Sequence, residues 1–313
     1  MDYTTLGRTG LRVSVMGLGA GGHSRLGQAA GRSAKESMAI VRRAMELGVT
    51  FIDTAESYGT EHLVGEAIGC AGRDGIVLST KKSMSKDGPR ISSRDLVEGL
   101  EKSLSRLKTD RVEVYHLHGV SAKDYAYARE ELVPAMRKLK EQGKIRFVGI
   151  TEAFGSDTRH EMMAKAVKDD CWDVVMVGFN ILNQSARERV LVETRKKGIG
   201  VLDMFAVRSA LSRREKLKAT VASLVAEGKI CLDGSDPDAP LDFVMEDGGA
   251  MSIPDAAYRF CRAEPGIDVV LSGTGNLQHL EANVASILRP ALPRGIMERL
   301  IEMFRGVDSV SGQ

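Results

Sequence analysis

The chain has 313 residues, 43% hydrophobic and 27% charged, the balance of a globular protein with a large core and not of a disordered one. Its 44 basic and 42 acidic side chains leave a formal charge of +2, so bulk charge draws it neither to a nucleic acid nor to an anionic membrane. No segment approaches the ~18 uninterrupted apolar residues of a membrane span, and Met1-Asp2-Tyr3-Thr4 does not open a signal peptide, so the expected compartment is the cytoplasm.

The first element is a predicted hairpin over residues 3–13, where Leu6-Gly7-Arg8-Thr9-Gly10-Leu11 is a turn flanked by apolar residues. Apolar, β-branched runs follow at 13–18, 50–53, 75–80, 112–118, 147–151, 174–177, 199–203 and 269–272, which makes eight strands. Amphipathic stretches lie between them, among them 33–47, 93–107, 124–142 and 157–168, several opening on Ser or Asp and ending near Gly48, Gly143 or Gly198. Strict alternation of strand and helix predicts an α/β protein built as a (β/α)8 TIM barrel, one domain over residues 1–313, with the hairpin plugging its bottom.

A doubly wound open sheet is the competing architecture, but Gly17-Leu18-Gly19-Ala20-Gly21-Gly22 lacks the GxGxxG spacing that a dinucleotide fold places after its first strand. Residues 208–249 break the rhythm after the seventh strand. They hold one helical run, 214–227, and then Asp233-Gly234-Ser235-Asp236-Pro237-Asp238, a loop by composition, and are expected to form an excursion over the barrel mouth.

In such a barrel, reacting groups stand where strands end at the C-terminal face. The second strand ends on Asp53 and leads through Thr54-Ala55-Glu56-Ser57 to Tyr58, the third ends on Lys81, and the fourth on His118. Taken singly, each has a plainer reading: helix cap, packed aromatic, surface lysine beside Lys82, structural histidine. Together on consecutive strand ends they suit one reaction. Hydride delivery to a carbonyl leaves negative charge on oxygen, which needs a proton in place. Tyr58 is the donor, Lys81 lowers its pKa by stabilising the phenolate, Asp53 holds Lys81 charged, and His118 hydrogen-bonds the substrate oxygen or relays the proton.

Longer motifs carry a family resemblance: 6–14 (LGRTGLRVS), 51–59 (FIDTAESYG), Ser79-Thr80-Lys81, 103–107 (SLSRL), 143–150 (GKIRFVGI) and 279–283 (HLEAN). With these, the chain resembles an aldo-keto reductase along nearly its whole length. The resemblance implies a (β/α)8 barrel that binds NADPH in extended form across the strand ends, with Asp53, Tyr58, Lys81 and His118 in the catalytic roles and a small carbonyl compound as partner. Nothing in the sequence speaks to an oligomeric state.

Several positions depart from the family pattern. Thr151-Glu152 replaces the Ser-Asn that holds the nicotinamide carboxamide; Thr151 keeps a hydroxyl, but ionised Glu152 has no proton to donate. Met176 aligns with a customary glutamine. After the seventh strand, Met204 or Phe205 is expected to pack on the nicotinamide, followed by Ala206, with Arg208 on the pyrophosphate. Gly21 is assigned to the cofactor; it lies within Ala20-Gly21-Gly22, where an aromatic is common after the first strand, and the change implies a wide or shallow mouth lined by Phe154 and Phe179. The adenosine end falls on Gly273, Thr274, Asn276 and Asn283, with free backbone N–H groups of the following helix on phosphate. Gly273 and His279 stand where NADPH-selective members carry a cation, so NADPH is the family default and NADH stays open.

Two other functions are compatible with the sequence. His116-Leu117-His118 is an HxH pair with both rings on one strand face, as in metal-dependent barrel hydrolases. It would need later ligands, for which Asp203 is the available carboxylate. The four cysteines, Cys70, Cys171, Cys231 and Cys261, are scattered and expected to be reduced and mostly packed. Alternatively, the altered nicotinamide contacts would suit a non-catalytic, cofactor-binding regulatory subunit.

Overall fold

The computed structural model describes residues 1–85, 88–232 and 234–313. Among the described residues there are ten strands: β1 (Tyr3–Thr5), β2 (Arg12–Ser14), β3 (Met16–Gly19), β4 (Phe51–Asp53), β5 (Val77–Ser83), β6 (Val112–Val120), β7 (Ile145–Glu152), β8 (Val174–Gly178), β9 (Gly200–Met204) and β10 (Val269–Ser272). β1 and β2 pair antiparallel, and β3 to β10 close a barrel in chain order. All eight barrel pairings are parallel, the (β/α)8 arrangement that alternating strands and helices predict.

The predicted first strand, 13–18, proves to be two elements. Val13 belongs to the hairpin, and the barrel strand starts at Met16. The hairpin closes the barrel floor: Leu6, Leu11 and Val13 pack with the inward-facing Phe51, Val77, Val114, Val174, Met176, Leu202 and Val269. Gly7 makes this seat, because a Cβ there would meet the backbone N of Gly200 at 2.3 Å. Trp172, fully buried before β8, packs not in the floor but in the larger core shared by strands and helices, with its carbonyl accepting from Arg8 of the hairpin and its indole N–H donating to Tyr125.

Helices form where the caps indicate. Ser33 and Ser92 each accept from the backbone N–H three residues on, while Glu36 and Asp95 answer in capping boxes, starting Ala34–Glu46 and Ser93–Leu107. The stretch expected at 157–168 yields only Glu161–Ala166. His160 is left-handed, with φ 57°, and the Asp157 carboxylate caps Glu161 and Met162 instead. The excursion holds Ser209–Ser212, Arg214–Ala226 and Phe243–Glu246, and Asp233 of its loop lies outside the described residues.

No helix of the described residues is long and apolar enough to cross a membrane. Of the cysteines only Cys261 is buried; Cys70 and Cys231 are exposed, so the expectation of mostly packed thiols fails for them.

Candidate active site

Strand register brings the four predicted residues to one rim. Asp53 pairs with Ser79 across β4 and β5, and Lys81 with His116 across β5 and β6, so alternation turns Asp53, Ser79, Lys81, His116 and His118 into the barrel. Lys81, buried to 1% exposure, donates to Asp53 Oδ2 at 2.5 Å, to the Thr54 carbonyl at 2.8 Å and to the Tyr58 hydroxyl at 3.4 Å. Ser79 donates to Asp53 Oδ1 at 2.8 Å, fixing the carboxylate from its other side. The short turn Glu56–Tyr58 carries Tyr58 back over this group, and its ring stands edge-on to His118 with centroids 5.5 Å apart.

Burial works against the Lys81 ammonium, but the facing Asp53 and Tyr58 oxygens outweigh it and hold its pKa above the ordinary lysine value. Tyr58 differs from the expectation: burial raises its pKa, and the opposing pull of Lys81 does not reverse that. It is therefore a phenol with a cation in place for the charge left when its proton departs. His118 is pushed down to about 3 by burial and then by Lys81, so it is a neutral imidazole at physiological pH, able to hydrogen-bond but carrying no imidazolium proton.

The tyrosine's position depends on a residue assigned in sequence to the cofactor. A Cβ on Gly21 would fall 2.2 Å from the Tyr58 ring, so the missing side chain is the space the phenol occupies. Gly149 does the same for His116, whose imidazole would lie 2.2 Å from a Cβ there. Buried below Lys81, His116 has no hydrogen-bond partner for either ring nitrogen among the described residues, and burial, then Lys81 and His118, hold its pKa well down.

The remaining cofactor candidates line the rim from β7 round to β10. Thr151 faces inward; its Oγ accepts from Gly119 N at 2.8 Å and keeps its own hydrogen to donate. Glu152 is turned into the wall, where it accepts from His160 Nδ1 at 2.9 and 3.0 Å and from Gly178 N at 2.8 Å. Met176 packs within the apolar barrel floor. Phe205 has φ +74°, a strained conformation for an aromatic residue, and its ring stacks against Phe154, which stacks on His160. The Arg208 guanidinium lies 4.0 Å over the Phe205 ring while its Nε donates to Gln313. Met204 packs against the barrel interior instead, and Ala206 is buried.

Two expectations need correcting here. Neither Phe154 nor Phe179 lines the mouth: Phe179 is fully buried behind the barrel wall, stacked on Phe260, and Phe154 is buried against His160 and Phe205. Nor are the helix N–H groups after β10 free, because the Asn276 side chain accepts from Gln278 N and His279 N. Nearby, Thr274 Oγ accepts from Asn276 N and Asn283 donates to Ser272, whose strand leads directly to Gly273.

Ser79, Ser57 and His160 were not apparent from the sequence, nor were the Ser24 and Ser209 hydroxyls, which are buried and without partners among the described residues. Ser79 was recoverable from strand alternation with Lys81. The hydrolase reading lacks its later ligand, since Asp203 faces out of the barrel, accepting from Phe179 N beside Cys261. No group of three His, Cys, Asp or Glu side chains among the described residues has a metal-holding arrangement.

The chain is 27% identical over 308 residues to L-galactose dehydrogenase of Arabidopsis thaliana, covering 92% of this chain and 88% of that protein. It is 35% identical over 161 residues to the aldo-keto reductase YhdN of Bacillus subtilis, 48% of this chain and 47% of that one. Its fold is similar to aldo-keto reductase AKR11C1 from Bacillus halodurans in the holo form, with a TM-score of 0.74 at 24% identity over 96% of each chain. The model of the Aldo/keto reductase family matches residues 16–302, and the chain belongs to that family of nicotinamide-dependent oxidoreductases acting on carbonyl compounds.

Proposed function

We propose that this protein, read as one barrel domain in the cytoplasm, reduces a small aldehyde or ketone to its alcohol, or runs the reverse, with Tyr58 as the proton donor. The observation that carries this reading is Lys81 locked between Asp53 and Tyr58. When bound, a nicotinamide cofactor supplies the hydride. The Tyr58 hydroxyl and His118 Nε2 are 3.5 Å apart, a separation that lets one substrate oxygen lie within hydrogen-bonding distance of both. As that oxygen gains charge it takes the phenolic proton, and the phenolate left behind faces the Lys81 ammonium.

The rim residues fit such a cofactor. Phe205 offers a ring at the nicotinamide end and Thr151 a hydroxyl for the carboxamide in place of the wall-bound Glu152, while Met204 and the buried Ala206 back that position from behind without facing the cofactor. Arg208 Nη1, Ser209 Oγ and Ser24 Oγ are buried without partners among the described residues, Arg208 and Ser209 where the segment after β9 enters the helix Ser209–Ser212 and Ser24 on the loop after β3, and both strands flank β10 in the barrel; they are suited to the pyrophosphate. Gly273, Thr274, Asn276 and Asn283 take the adenosine end. NADPH is the cofactor assigned, by family. The name of the relative L-galactose dehydrogenase supports keeping the oxidative direction.

The test is the nicotinamide absorbance of purified protein with aldehydes, ketones and sugars, NADPH and NADH in parallel. Cofactor oxidation with NADPH favoured is the expected result. No oxidation of either cofactor by any carbonyl would overturn the proposal in favour of a regulatory subunit.

A further inference from the structure

The residue before Tyr58 faces the same imidazole from the other side. Ser57 Oγ lies 3.5 Å from His118 Nδ1, while the Tyr58 hydroxyl lies 3.5 Å from His118 Nε2. Both come from the single turn Glu56–Tyr58, so one short segment addresses both ring nitrogens of a histidine on a different strand. A neutral imidazole has one N–H and one lone pair, and the two arrangements differ chemically. With the hydrogen on Nδ1, the Nε2 lone pair competes with substrate for the Tyr58 proton. With the hydrogen on Nε2, that N–H donates to the substrate oxygen and leaves the tyrosine proton free to transfer.

Lys81 biases this choice the wrong way. Its ammonium approaches the Tyr58 oxygen at 3.4 Å, and a cation on the Nε2 side favours the lone pair there. A hydroxyl donating to Nδ1 opposes that bias. We propose that Ser57 is a positioning residue that donates to His118 Nδ1 and so holds the Nε2–H tautomer needed for carbonyl reduction. The inference rests on the reductase reading above. Ser57 acts through His118, and its contact with Nδ1 is already made at 3.5 Å in the substrate-free site, where the tautomer is set.

The test uses full-length protein with ¹⁵N-labelled histidine and the variants Ser57→Ala and Ser57→Thr. The ring ¹⁵N shifts of His118, assigned by comparison with His118→Gln, report which nitrogen is protonated without any turnover. The wild type is expected to show protonated Nε2 and unprotonated Nδ1. Ser57→Ala should move both resonances toward a mixed population and lower kcat about 3- to 10-fold, the worth of one neutral hydrogen bond, with cofactor Kd unchanged. Ser57→Thr, which keeps the hydroxyl, should restore both. A wild-type ¹⁵N pattern in Ser57→Ala, or a wild type protonated on Nδ1, overturns the inference. Because the shifts are read on resting protein, a tautomer change without carbonyl reductase activity in the wild type would sustain the Ser57 assignment and overturn the proposed reaction.

Discussion

Lys81 donates to the Tyr58 hydroxyl across 3.4 Å while Asp53 and the Thr54 carbonyl hold two of its other hydrogens. The ammonium therefore has one hydrogen directed at the phenol and no freedom to leave it. Burial raises the pKa of Tyr58 and keeps it a phenol at rest, so in the proposed reaction the lysine's effect falls on the charge that forms once the proton has gone.

Lys81→Met should lower kcat by about 10²- to 10⁴-fold, the usual range for a lost acid–base partner. It should also lower stability by about 3–5 kcal/mol, because Asp53 is left as an unpaired buried carboxylate. The double variant Asp53→Asn/Lys81→Met removes both charges and should regain most of the stability with none of the activity. Thermal denaturation and nicotinamide turnover, measured on the same samples, separate the two effects.

The reduction rate should stay flat through neutral pH and decline only above the ordinary tyrosine value of 10.0, because the protonated phenol is the active form and its pKa is raised. His118 titrates at 6.5 when unfolded but at about 3 in the fold. The unfolded state thus binds more protons between those values, and the stability tied to neutral His118 is complete above 6.5 and lost as pH falls toward 3. His118→Gln should lose less stability than wild type, by about 1–2 kcal/mol, between pH ~7.5 and pH ~5 in urea titrations.

Gly21→Ala places a methyl group where the Tyr58 ring lies. The loop between β3 and Ala34–Glu46 is expected to hold while the phenol moves. Turnover should then drop by at least about 10²-fold with cofactor affinity changed less than about threefold. Unchanged turnover would show that Tyr58 does not need its observed position.

Arg208→Leu should weaken cofactor binding about tenfold or more, the cost of losing a charged hydrogen bond to phosphate. Arg208→Lys should recover part of that loss. Quenching of intrinsic fluorescence on titration with NADPH reads both, and an unaltered Kd in Arg208→Leu would remove this residue from the pyrophosphate site.

Asp53, Lys81 and His118 were legible because strand ends in a barrel share a rim, and the barrel itself because apolar runs alternate with capped helices. Relationships between distant segments were not. Glu152 looked like a defective carboxamide donor, yet pairs with a left-handed His160 eight residues on and leaves the site altogether. Phe179 follows a strand end as pocket residues do, but the chain turns it outward onto Phe260. Gly21 read as cofactor contact because a glycine's neighbour in space is invisible in sequence.

The central claim is that Tyr58 gives the proton, and Tyr58→Phe tests it most directly, assayed beside wild type for NADPH oxidation by its best aldehyde and for NADPH binding. Turnover reduced by at least about 10²-fold with the cofactor Kd unchanged is the predicted result. Equal turnover by the two proteins would contradict it.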